Sequence, residues 1–106
     1  MTTQIQDALA RTVRLATDTD IDAIARLSES TTAAVRKLQS GGDFLVLDGP
    51  GDGLAGSIYL AIEESRARIG MLAVAPEFSD SPLADRLVAV AELMCEASGC
   101  EEVVHQ

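Results

Sequence analysis

Tryptophan is missing from this chain, and its aromatic residues amount to only 3%: one tyrosine and two phenylalanines. A groove that stacks bases along a single strand has nothing to be built from. Positive charge is scarce too. Eight bases face seventeen acids, a formal charge of -9, and such a surface repels phosphate backbones and anionic headgroups alike. The close basic pairs, Arg36 with Lys37 and Arg66 with Arg68, read as solvated surface charge. Neither nucleic acid nor a membrane is expected as a partner. The opening MTTQIQDALART has no basic start and no apolar run, so it is neither a secretory signal nor a span, and the chain reads as cytoplasmic. Cysteine is limited to Cys95 and Cys100. They stand at the end of a helical pattern and in the following turn, without metal-ligand spacing, and are expected as reduced, partly buried thiols. No phosphate-binding P-loop, dinucleotide fingerprint, metal cluster or nucleophile elbow occurs.

What remains is an aliphatic core. Of 106 residues 47% are apolar and 24% charged, too apolar for disorder and too short for two cores, so residues 12–106 are one domain. Residues 1–11, with Ile5, Ala8 and Leu9 at helical spacing, are a weakly ordered or helical extension. A short first strand is expected over 12–16, with Val13 and Leu15 on one face. A helix follows over about 20–29, capped by Thr19 with Asp22 near its positive end. A second runs from about 31 to 39 and leaves at Gly41-Gly42, read as a positive-φ exit. FLVL at 44–47 is a buried strand, and DGPGDG at 48–53 is a hairpin turn. From about Leu54 a third strand sets Ile58, Leu60 and Ile62 against Ser57, Tyr59 and Ala61, the period of two that a helix cannot keep. After a turn at Glu64 and Ser65, residues 67–74 lack charge beyond Arg68, which predicts a central strand covered on both faces. Leu83, Leu87, Val90, Ala91 and Met94 define a helix face, with Pro82 in its first turn, Ser81 as cap and Gly99 as its end. EVVH at 102–105 is then a fifth strand, parallel to the fourth.

The order strand, two helices, three strands, helix, strand resembles the GNAT superfamily, the acyl-CoA-dependent N-acetyltransferase fold. RLATDTDIDAIARL is similar to its opening strand and helix, FLVLDGPGDGLAGSIYL to its second and third strands, and GMLAVAPEF, LADRLVAVAE and SGCEEVV to its central strand, long helix and fifth strand. The resemblance implies an α+β fold, a three-layer α/β/α arrangement around a mixed, mostly antiparallel five-stranded sheet. It also implies an absence: the chain stops at Gln106, without the family's following helix and two strands, which carry a tyrosine acid and much of the acceptor pocket.

In that superfamily the central strand splays from the fifth, and its free amides hold the pantetheine arm of acyl-CoA; Leu72 and Val74 stand where those amides are expected. The pyrophosphate rests on a loop of the form Gln/Arg-x-x-Gly-x-Gly/Ala, whose N–H groups and helix dipole hold the charge. Aligned on the shared APEF, this chain offers residues 79–84 instead. Ser79 replaces the first residue, Pro82 replaces the first glycine, and Ala84 alone fits. Proline donates no N–H and fixes φ. Asp80 adds a negative charge, and one like-charge pair at roughly 8 Å with an effective dielectric of about 20 costs about 2 kcal/mol before screening. An acidic helix start is the simpler reading of the loop.

Other residues offer little chemistry. Tyr59 reads as a half-buried strand aromatic. Glu63 and Glu64 sit on a solvated hairpin tip, which gives no reason for a general base there. His105 has no neighbouring nucleophile or orienting acid in the pattern. No catalytic residue is therefore assigned. Two functions remain open. The first is a catalytically impaired module without a cofactor, pairing with itself or with another protein through the exposed edge of strand 102–105. The second is an acetyl-CoA-dependent N-acetyltransferase whose site a partner chain completes.

Overall fold

The computed structural model describes residues 13–49, 53–80 and 82–105. The elements in chain order are β1 (Arg14–Leu15), α1 (Ile21–Leu27), α2 (Thr32–Gly41), β2 (Asp43–Asp48), β3 (Leu54–Glu63), β4 (Arg66–Val74), α3 (Leu83–Ala97) and β5 (Glu102–His105). Short 3-10 turns at Asp18–Asp20 and Pro76–Phe78 lead into α1 and α3. The expected extension over 1–11, the tip of the 48–53 turn and the Ser81 cap lie outside the described residues.

The strands form one five-stranded sheet in the order β1-β2-β3-β4-β5. Neighbours are antiparallel except β4 and β5, which are parallel across the α3 crossover, as the right-handed strand-helix-strand rule requires. Alternation along β3 sorts the layers. Ile58 and Leu60 join Leu45, Leu83, Leu87 and Ala91 under α3. Tyr59 and Ala61 face the other way and join Phe44, Val46, Ile24 and Val35 under α1 and α2. A buried face on each side makes every residue of Phe44–Leu47 inaccessible, which is why that stretch is continuously apolar. The expected three-layer α+β architecture is the one observed.

Several local expectations are corrected. Leu15 is 51% exposed, while Val13 packs on the core, because β1 is only two residues long and lies at the sheet edge. Thr19 does not cap α1. Thr17 and Asp20 form the capping box instead, with the Thr17 N–H donating to Asp20 Oδ2 at 2.8 Å. Nor is the exit from α2 left-handed. Gly42 is extended at φ -173, and glycine is needed because a Cβ there would lie 2.6 Å from the Leu60 carbonyl oxygen and 2.7 Å from the Tyr59 hydroxyl. The middle of the sheet is β3, with β4 one place outward. Cover on β4 is lost after Gly70, and Leu72 is 44% exposed.

Candidate functional site

The loss of cover on β4 has a geometric origin. Its ladder to β5 runs from Arg66↔Glu102 to Ile69↔His105. Beyond that level residues 70–74 pair with β3 alone among the described residues. From Tyr59↔Gly70 to Ser57↔Ala73, β3 moves two places and β4 three. The extra residue is a β-bulge, which bends a strand and re-aims its groups. Met71 sits in it at φ +50, a left-handed conformation that costs a side-chain-bearing residue energy and persists only where its surroundings enforce it. Below the bulge the Ala75 N–H donates to the Ala55 carbonyl at 2.8 Å. Counting back one place by the alternation of an extended strand, Val74 turns its N–H group away from β3, while Leu72 lies within the bulge beside Met71.

Beside the bulge is a cavity of about 380 Å³, lined by Leu27, Ser28 and Glu29 of the α1–α2 corner and by residues 71–74. A second, of about 520 Å³, shares Leu27, Glu29 and Val74 and extends to Leu54 and Pro76. Glu29 is also left-handed, at φ +56. Two strained residues therefore face one cavity, a pairing that no composition rule would reveal. A third space, of about 850 Å³, lies at the opposite end of β4, lined by Glu63, Glu64, Glu101 and Glu102 with Ser65 and Arg66. No group of three or more metal-ligating side chains occurs among the described residues.

The start of α3 is described at Ser79, at Asp80 and from Pro82 onward. Pro82 occupies the N-cap position at φ -77 without a side-chain cap, and its carbonyl accepts from the Arg86 N–H at 3.0 Å. The Ser79 amide is already engaged, donating to the Pro76 carbonyl at 3.2 Å. Asp80 is exposed, and Asp85 adds a second acid in the first helical turn. Leu83 is fully buried, while Ala84 is half-buried on the helix surface. One amide of this turn is thus consumed and another is chemically missing, with acids on both sides.

The remaining sequence candidates fall elsewhere. Tyr59 is more buried than expected, at 8% exposure. Its hydroxyl donates to the Leu38 carbonyl at 2.8 Å, its ring lies 5.1 Å from that of Phe44, and burial pushes its ionisation up. It holds α2 onto the sheet. Glu64 forms the β3–β4 tip at φ +54. His105 does have an acid nearby: its Nε2 lies 3.6 Å from Glu92 Oε2, both side chains half-exposed.

Sequence reasoning missed a three-residue polar clamp. Arg14 donates through Nη1 and Nη2 to both Asp20 oxygens at 2.8 and 3.0 Å. Through Nε and Nη2 it reaches Asp48 at 2.9 Å each. These are the paired, charge-assisted forks that suit guanidinium. They hold the Asp20 carboxyl down at about 2, chiefly through the Arg14 hydrogen bonds. The available signal was Arg14 opposite the apolar face of its strand, together with Thr17 three places before Asp20.

Comparisons with known proteins accord with this geometry. No protein-family model matches the chain, and no curated protein does. Many solved structures do match. One is an aminoglycoside acetyltransferase from an uncultured soil metagenomic sample, in complex with sisomicin: 18% identity, TM-score 0.74, covering 96% of this chain and 79% of the other. A Desulfovibrio desulfuricans protein described as an acetyltransferase of the GNAT family gives 21% identity and TM-score 0.72, over 86% and 69%. A Mycobacterium tuberculosis protein solved in complex with CoA gives 17% and 0.74, over 87% and 61%.

Proposed function

We propose that this chain, whose fold is that of the GNAT acetyltransferases, is a catalytically impaired member of that architecture that works as a self-associating or protein-binding module. The observation carrying this reading is the start of α3. A diphosphate seated there needs backbone N–H donors and a positive local potential. The turn offers Pro82, which has no N–H, a Ser79 amide already bonded to Pro76, and the acids Asp80 and Asp85. Binding through an edge is supported by β5, which is hydrogen-bonded on its β4 side and has no partner strand on its other side among the described residues. Such edges are covered in stable assemblies by strand addition. The expected arrangement is a homodimer or a hetero-complex across residues 102–105.

One observation favours a second reading. The bulged end of β4 sets Leu72 and Val74 beyond the last β4–β5 pair, next to a cavity. That arrangement suits a pantetheine arm, and a partner chain could complete the acceptor side of an acetyl-CoA-dependent N-acetyltransferase. In that case Leu72, Val74 and Ala84 contact the cofactor.

Calorimetric titration with acetyl-CoA decides between them. The impaired module gives no heat at millimolar ligand, whereas micromolar binding sinks it. Pro82→Gly combined with Asp80→Gly restores a donor and removes a charge, and is expected to raise affinity at least about tenfold. Light scattering tests the self-association form: a monomer at micromolar concentration eliminates it.

A further inference from the structure

Helix α3 ends in a motif that fixes which side chains meet. Gly99 is left-handed at φ +80. Its N–H donates to the Glu96 carbonyl and that of Cys100 to the Cys95 carbonyl, both at 3.0 Å. This is the Schellman arrangement, in which the third residue before the cap touches the second residue after it, commonly through apolar side chains. Here both contact positions are cysteines. Cys95 is fully buried in the core beneath α3, and Cys100 is half-buried against the same cluster. Both are free thiols.

We infer that Cys100 is a modification site for low-molecular-weight disulfides and that Cys95 is its resolving partner, so that the pair closes into an intramolecular disulfide across the end of α3. Roles follow from access. Oxidised glutathione reaches the half-exposed Cys100 and not the enclosed Cys95. The Cys100 thiolate attacks one glutathione sulfur, forming a mixed disulfide and releasing the first glutathione thiolate. As the end of α3 opens, Cys95 gives its proton to solvent, and its thiolate attacks Cys100 Sγ and expels the second glutathione thiolate. The two protein thiols together lose two protons and two electrons, and one oxidised glutathione becomes two reduced ones. The main-chain bond from Cys100 to Cys95 already holds their backbones together, in keeping with the short Cα separation that a disulfide demands. Since β5 begins just beyond, at Glu102, closure fastens the entry of the edge strand to the helix.

The full chain incubated with oxidised glutathione, denatured, alkylated with iodoacetamide and weighed intact provides the test. The expected product is a monomer with no alkyl label and no retained glutathione, returning to two labels after dithiothreitol. Cys100→Ser is expected to keep Cys95 fully alkylatable after the same exposure, and Cys95→Ala to hold one stable glutathione on residue 100. Wild-type chain carrying glutathione at Cys100 beside an alkylated Cys95 overturns the proposal, as does a disulfide between two chains. Truncating buried Cys95 risks unfolding, so the wild-type and Cys100→Ser results decide without it.

Discussion

The two flanks of this sheet are built on opposite plans. On the β1–β2 flank, Arg14 ties a strand, the turn before α1 and the end of β2 together through Asp20 and Asp48, and Tyr59 secures α2 with a buried hydrogen bond. Its polar network is closed. On the β4–α3 flank the strand bulges at a left-handed Met71, the β5 ladder stops at Ile69, and Leu72 stands exposed. At the level of the bulge, on the face of the sheet away from α3, lies a fully buried hydroxyl, Ser57 Oγ, with no hydrogen-bond partner among the described residues. The contrast separates stability from function. The first flank spends its polar groups on holding the chain, while the second leaves backbone groups and space for something else to meet.

The sharpest test pairs two glycines. On the closed flank a Cβ at Gly42 meets the backbone oxygen of Leu60 at 2.6 Å, whereas at Gly56, beside β4, the nearest obstacle is the Leu87 Cδ1 tip at 2.7 Å and the nearest backbone atom, the Ala73 oxygen, stands off at 3.2 Å. Backbone held by a sheet ladder cannot retreat, but a leucine tip can change rotamer. Gly42→Ala is expected to destabilise by about 3 kcal/mol, and Gly56→Ala by about 1 kcal/mol, in urea unfolding. Equal costs would break the comparison.

Next in size is the clamp. Arg14→Met leaves Asp20, only 8% exposed, without its cationic partner, and about 2 kcal/mol should be lost at neutral pH. The same pair predicts an acid limb. Asp20 has its folded value lowered to about 2 from 3.8, so its contribution is complete above pH 3.8 and fades as pH falls through about 2. That window carries about 2 kcal/mol. Unfolding midpoints measured across it should fall for the native chain, and the fall should be smaller in Arg14→Met. A mutant with the native acid limb would mean that Arg14 does not set the Asp20 ionisation.

Legibility in the sequence follows the same divide. Period two over 58–61 and the stripe through Leu83, Leu87 and Ala91 were readable because burial on a regular element repeats, and both landed on the core, whereas Ile62, expected on the face of Ile58 and Leu60, is 37% exposed near the hairpin tip. Gly99 could be read as a helix end because only glycine enters that conformation cheaply. The bulge could not. Its left-handed residue is a methionine, imposed by the ladder and not by local preference. The clamp joins residues 34 positions apart, beyond the reach of any periodicity. Gly42 was noticed but misread, since its constraint is a neighbouring strand and not its own φ. At the start of α3 the departure of Pro82 from a glycine was visible in the letters; that the Ser79 amide is already consumed needed coordinates.

The smallest expected effect is the most diagnostic of the open flank. Ser57 pairs with Val46 on one side and Ala73 on the other, so its backbone is enclosed by sheet one strand in from the bulge. An unpartnered buried hydroxyl has lost its hydration without replacement. Ser57→Ala removes that debt along with a single atom, and stability should stay level or rise by about 0.5 kcal/mol. On the closed flank, where Tyr59 and Arg14 are hydrogen-bonded, deletions are expected to cost energy. A clear loss in Ser57→Ala, measured in the same urea series, would show that the hydroxyl is satisfied in solution and that the two flanks are less different than their hydrogen bonds suggest. A gain would mark Ser57 as a polar group retained for some purpose other than holding this chain together.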